Sequence, residues 1–150
     1  MDITKIKQLR EETGAGIADC REALAKTSGD LRRAEKYLKE KGIEKAANKA
    51  DRTASAGIVE SYIHLGGKIG VLVEVNCETD FVAKTDEFKH VAHEVAMQIS
   101  AMNPNTVAEL LKQTYIRDPQ LTIEVLIKSV IAKLGENIKV KRFSRIALGE

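Results

Sequence analysis

Two successive glycines, Gly66-Gly67, divide a β-forming stretch in half, and no other feature constrains the fold of this chain as much. The run that follows them, Ile69-Gly70-Val71-Leu72-Val73-Glu74-Val75, reads as a buried strand. A Gly-Gly pair suits the left-handed conformations that a two-residue hairpin turn demands. The spacing therefore predicts a hairpin in which Ile58 to Leu65 pairs with Lys68 to Val75. In that register Ile69, Val71, Val73 and Val75 share a face with Ile58, Tyr62 and His64, whereas Val59, Ile63 and Leu65 point the other way. Either both faces are partly covered or the loop has another length.

Before the hairpin lie three helical patterns. Ile3, Ile6 and Leu9 share one face up to Thr13-Gly14-Ala15-Gly16; Ile17, Cys20 and Leu24 share another up to Ser28-Gly29. Asp30 is a good N-cap for the third, where Leu31, Ala34 and Leu38 align and Gly42 is expected to end the helix. Residues 1–42 thus read as a three-helix module at the lower limit of independent stability. Residues 43–57 read as a partly helical linker: after Ile43 the run Glu44 to Ala56 is small and charged, without large apolar side chains.

Beyond the hairpin, Phe88, Val91, Ala92, Val95, Ala96, Ile99 and Met102 form one stripe of a long helix closed by Pro104. Val107 to Leu111 and a loop around Arg117-Asp118-Pro119 follow. Thr122 then caps a helix with Ile123, Ile127, Val130, Ile131 and Leu134 inside, and Gly135 stops it. Ile138, Val140, Ile146 and Leu148 alternate with Lys139, Lys141 and Arg145, which predicts a third strand with one basic face. The fold class is α+β: a three-helix bundle, then a core at residues 58–150 in which a small three-stranded antiparallel sheet packs with helices. So small a sheet leaves its edges open to a second sheet or another subunit.

Catalytic motifs are lacking. His90, His93 and Glu94 give His-x-x-His-Glu, but metalloprotease histidines are four apart and no third ligand is indicated, so these read as solvated helix-surface residues. Cys77 with His64 lacks an orienting acid, and a cysteine at a strand end is commonly a small buried hydrophobe. Thr13 to Ala18 has too few glycines for a phosphate loop. No cofactor, metal or disulfide framework is expected from Cys20 and Cys77, which lack Cys-x-x-Cys partners. Lysine and arginine outnumber acids by only 24 to 22, too balanced for a direct electrostatic grip on nucleic acid. No apolar run is long enough for a bilayer, and Met1 to Lys5 lacks a secretory core, so neither a membrane nor export is expected. A protein of this kind acts by binding.

The residues most suited to binding lie in Asn76-Cys77-Glu78-Thr79-Asp80-Phe81-Val82, where the strand turns into a helix. Phe81 sits beside an acid rather than in an apolar stripe, so it reads as a presented anchor; the plainer alternative has Phe81 capping the local core while Thr79 or Asp80 caps the next helix. Three blocks resemble the elongation factor Ts family: Leu9 to Gly16 with Asp19 to Leu24, Asn76 to Ala83, and Ala132 to Ile138 with Arg142-Phe143.

The resemblance implies an N-terminal module similar to ubiquitin-associated domains and an α/β core. It also implies a non-enzymatic exchange factor that binds elongation factor Tu, GDP-bound and nucleotide-free, and promotes GDP release. Carried over by motif position, the partner-binding residues are Lys7, Arg10, Ile17 and Ala18 in the module and Thr79, Asp80, Phe81 and Val82 at the corner. Many relatives have Met-Met at Ile17-Ala18, which makes this contact smaller. Longer relatives carry a second core subdomain with a coiled-coil insertion, for which this chain has no room; short relatives act as dimers, so a homodimer is expected. Tyr62 to His64 and Tyr115 to Pro119 resemble cyanobacterial or plastid members, leaving cytoplasm and plastid stroma both open. The alternative is an RNA- or ribosome-binding adaptor using Lys45, Lys49, Arg52 and the last strand.

Overall fold

The computed structural model describes residues 2–150. Its elements are α1 (Ile3–Thr13), α2 (Ile17–Lys26), α3 (Leu31–Ala47), β1 (Ala56–Ile63), β2 (Ile69–Cys77), α4 (Asp80–Ala83), α5 (Asp86–Met102), α6 (Val107–Lys112), α7 (Ile123–Leu134) and β3 (Lys139–Ala147). Most helices begin where a short polar side chain satisfies a free backbone N–H. Asp2, Asp30, Thr79, Thr85, Thr106 and Thr122 all accept from the backbone two or three residues on, each cap contributing about 1 kcal/mol.

The sheet is antiparallel in the order β1-β2-β3, with β2 central. Ile58 pairs with Val75, Glu60 with Val73 and Tyr62 with Val71, the register expected for a turn centred on Gly66-Gly67. Val71, Val73 and Val75 are buried against α5, which lies across the inner face of β1 and β2. The outer face is left bare: Val59, Ile63 and Leu72 are all exposed there.

β3 departs from simple alternation. Glu74 pairs with Arg142 but Val75 with Val140, so Lys141 is an extra residue in a β-bulge. Ile138 and Val140 face the core as expected, yet past the bulge Phe143 and Arg145 turn inward and Ile146 and Leu148 turn out, at 74% and 78% exposure. The expected single basic face is therefore broken. The Arg145 Nε donates to the Ser100 carbonyl at 3.2 Å, so this cation closes the core's end instead of facing solvent.

Two apolar clusters form. The smaller joins Leu9, Cys20, Ala23, Leu24, Ala34 and Leu38 of α1 to α3; the larger joins the sheet's inner face to α5, α7 and their neighbours. They meet along α3, which does not end at Gly42 but runs to Ala47, placing Ala46 in the larger cluster. A mid-helix glycine costs about 1 kcal/mol relative to alanine, and packing explains its use. A Cβ at position 42 would stand 3.0 Å from the Ala132 Cβ of α7. The helices cross at their smallest side chains.

α5 also departs from the expected facing. His90 and His93 are exposed as expected, but Glu94 is 3% exposed and Gln98 is buried, whereas Met102 is about half exposed and so leaves the stripe. The chain after α6 folds back over these two polar residues. Tyr115 Oη donates to Glu94, Arg117 Nε pairs with the same carboxylate at 2.8 Å, and Gln98 bonds both the Thr114 carbonyl (3.0 Å) and the Ile116 N–H (3.1 Å). A buried carboxylate is tolerated only when paired in this way. Burial, reinforced by Glu94, pushes the Tyr115 hydroxyl up to about 12.

The α3–α7 crossing yields a prediction whose sign is diagnostic. On an exposed helix, Gly→Leu is stabilising through helix propensity. Gly42→Leu instead overpacks the crossing and lowers stability by about 1–3 kcal/mol, read as a fall in the thermal unfolding midpoint.

Candidate functional site: a braced corner and a basic groove

β2 delivers the chain to the corner. Asn76 Nδ2 donates to the Ala56 carbonyl at 3.2 Å, and the buried Cys77 thiol donates to the Thr79 carbonyl at 3.2 Å. Burial pushes that thiol up from its ordinary value, which makes it a poor nucleophile. Thr79 is extended and caps α4, its hydroxyl accepting from the Val82 N–H at 3.4 Å.

α4 is one turn long, and its four residues divide by direction. Val82 and Ala83 are buried in the larger cluster, while Asp80 and Phe81 face solvent. Phe81 is 88% exposed, so it does not cap the local core, and Thr79 is the residue that caps the helix. Of the four corner residues expected at a partner surface, Asp80 and Phe81 are displayed, Thr79 is exposed but bonded within the chain, and Val82 supports the turn from beneath.

The turn after α7 braces this corner. Gly135 adopts a left-handed conformation (φ 77°) that ends α7 and sends Glu136 toward β2. Glu136 Oε1 accepts from the backbone N–H groups of Glu78 (3.1 Å) and Thr79 (2.9 Å), and Oε2 from the Thr79 hydroxyl (2.8 Å). In return Glu78 Oε1 accepts from the Asn137 N–H at 2.8 Å. Asn137 Nδ2 reaches the carbonyls of Ala50 (3.3 Å) and Arg52 (2.7 Å), tying in the chain that leaves α3. Sequence reading missed Glu136 and Asn137 as parts of the site, because no local pattern marks a contact across 57 to 59 residues.

A second surface lies on the N-terminal helices. The tight turn at Gly14 to Gly16 sets Ile17 beside α1, and Ile3, Ile6 and Ile17 form an apolar groove rimmed by Lys7, Arg10 and Arg21. Lys7, Arg10 and Ile17 therefore come together as expected; Ala18 is exposed but does not line the groove, and no corner residue does. Ile3, Ile6 and Arg21 are additions. Ile3, Lys7 and Arg10 fall at helical spacing on one face, a sequence signal that could have placed Ile3 at the groove.

Charge ties α2, one wall of the groove, to α3. Glu22 on α2 accepts from Lys41 Nζ (2.6 Å) and Tyr37 Oη (2.9 Å) of α3, and Asp19 pairs with Lys41 (3.2 Å) and Lys45 (3.0 Å). Lys41 first, then Tyr37 and Lys26, hold the Glu22 carboxyl down at about 2; Lys45 chiefly lowers Asp19. Elsewhere, the exposed histidines and buried Glu94 do not converge, and among the described residues no cluster of three ligating side chains could hold a metal ion. Among the described residues no helix is long and apolar enough to cross a membrane.

Together, fold and site define an α+β protein with a three-helix N-terminal cluster, a three-stranded antiparallel sheet and an aromatic side chain displayed from a braced turn. Residues 78–150 match the family model described as Elongation factor TS. Curated relatives named Elongation factor Ts are 43% identical in Desulfosudis oleivorans and 45% in Coprothermobacter proteolyticus, each over 97% of this chain and 96% of the relative. A further one, in the cyanobacterium Synechocystis, is 44% identical over 97% of this chain and 88% of its own length. This chain belongs to the elongation factor Ts family. The alignments run over 190 or 191 residues against the 150 of this chain. At least 40 aligned positions (190 less 150) thus have no counterpart here.

The Glu22 brace gives a pH dependence of defined sign. A carboxyl held below its ordinary 4.5 stabilises the folded chain above that value and loses the effect as pH falls toward about 2. The thermal midpoint of Glu22→Gln should therefore lie below that of the unsubstituted protein at neutral pH, with the gap closing across that window.

Proposed function

We propose that this chain is a non-enzymatic guanine nucleotide exchange factor that binds elongation factor Tu and promotes GDP release during translation elongation, in bacterial cytoplasm or plastid stroma. The observation that carries the reading is Phe81, a large apolar side chain 88% exposed on a one-turn helix whose other face is locked into the core. A large aromatic side chain buried at an interface can act as a binding hot spot. The basic-rimmed groove adds a second contact, suited to an apolar side chain flanked by acids.

Exchange then needs no bond chemistry. If the factor binds nucleotide-free partner more tightly than GDP-bound partner, linkage requires that it loosen GDP by the same factor. Phe81, inserted between elements of the partner, would shift the loops that hold Mg²⁺, an ion that demands near-ideal octahedral coordination. Asp80 stands beside it to compete for polar groups. The RNA-adaptor reading has less support, since Lys45 is paired with Asp19, Arg52 with Glu78 and Arg142 with Glu74.

The homodimer belongs to the same proposal. Val59, Ile63, Leu72 and Ile146 form an apolar outer face on a sheet too small to cover it. A second copy laid face to face would bury it.

Two measurements test these readings. Fluorescent GDP should leave purified elongation factor Tu faster with this protein, and Phe81→Ala should lose about tenfold or more of that acceleration; no acceleration by the unsubstituted chain overturns the function, and equal acceleration by both overturns the anchor. Light scattering should give a dimer mass that Leu72→Lys with Ile146→Glu converts to monomer, and an unsubstituted monomer overturns the dimer.

A further inference from the structure

One side chain at the site touches neither the groove nor the displayed face, yet governs how that face is held. Glu136 presents both carboxylate oxygens to the corner and takes up the Glu78 N–H, the Thr79 N–H and the Thr79 hydroxyl hydrogen. With its hydrogen committed to Glu136, the Thr79 oxygen has its lone pairs turned toward the Val82 N–H. The relay therefore runs from the α7–β3 turn through the N-cap into the first turn of α4.

A single helical turn does not hold itself, because nucleation costs more than one hydrogen bond returns. The direction of α4 must come from outside. Val82 and Ala83 anchor its inner side in the larger cluster; Glu136 is the polar anchor at its start. Glu136 is only half-buried and Thr79 is exposed, so water can replace these bonds if the carboxylate is removed. The fold would survive such a loss, but the orientation of Asp80 and Phe81 would not.

We propose that Glu136 is a positioning residue for exchange: its three hydrogen bonds fix α4 so that Asp80 and Phe81 meet the partner in one pre-set orientation. Fixing an anchor before encounter removes an ordering cost that binding would otherwise carry. The proposal rests on the exchange function above, but its geometric half stands apart from it. Asn137, the next residue, holds the Ala50 and Arg52 carbonyls, so the same turn sets the path from the N-terminal helices.

The test compares Glu136→Ala and Glu136→Gln. Glutamine keeps one oxygen for the two N–H groups and offers an amide that the Thr79 hydroxyl can accept from, so it retains the geometry without the charge. In the free protein, amide hydrogen exchange at Glu78, Thr79 and Val82 should quicken about tenfold in Glu136→Ala and stay close to the unsubstituted rate in Glu136→Gln, with the unfolding midpoint barely moved. In GDP-release assays kcat/KM should fall about tenfold for Glu136→Ala, recover in Glu136→Gln, and fall no more than about twofold further when Glu136→Ala is added to Phe81→Ala.

Unchanged amide exchange in Glu136→Ala overturns the positioning claim whether or not the protein acts on elongation factor Tu. Faster amide exchange with unaltered GDP release overturns its link to function. Full additivity with Phe81→Ala, or equal loss in Glu136→Gln, also overturns it, because Glu136 would then act through a contact or charge of its own. Failure of the unsubstituted protein to release GDP defeats the exchange function and, with it, Glu136's functional role, while the amide measurement still decides the geometry.

Discussion

β2 is the element on which the rest depends. It is the central strand, so both its backbone edges are used, and its inner valines at 71, 73 and 75 are buried chiefly against α5. That burial fixes the register of β1, because a slip of one residue would turn Ile58 and Tyr62 outward. It also fixes where the strand must stop. Asn76 and Cys77 are still in the ladder and buried, so the turn that follows starts from a rigid end. The displayed phenylalanine is thus positioned by a hydrophobic sheet several residues away.

Much of this was legible in the chain because it is encoded locally. Gly66-Gly67 and the alternating valines determine the hairpin; Asp30 and Thr122 cap their helices as expected, and Thr79 is the cap of the two candidates at the corner, while the caps at Asp2, Thr85 and Thr106 were not anticipated. Phe81 stood out since no apolar periodicity claimed it. What escaped notice depended on a second segment. Gly42 reads as a stop unless Ala132 is known to lie against it. Glu94 reads as solvated beside two exposed histidines until the 113–118 loop covers it. The bulge at Lys141 is invisible to alternation, and it reverses the facing of every later residue in β3.

The binding surfaces follow the same division. The corner's displayed pair was found from the residues themselves, while Glu136 and Asn137, which brace it, sit at the other end of the core sequence. In the groove, Lys7, Arg10 and Ile17 are the residues that the family motif marks, while Ile3, Ile6 and Arg21 complete it without a motif of their own. At both surfaces a carboxylate satisfies donors from a distant element: Glu22 ties α2 to α3, and Glu136 ties the α7–β3 turn to the corner.

The course of α3 bears on how the molecule comes apart. One helix supplies Ala34 and Leu38 to the smaller cluster and Ala46 to the larger, with no break at the glycine between them. Neither cluster can lose its share of that helix without unwinding the other's. Two separate oil drops on one rod should melt together, in a single cooperative transition. Severing the rod would yield two fragments, each lacking a wall.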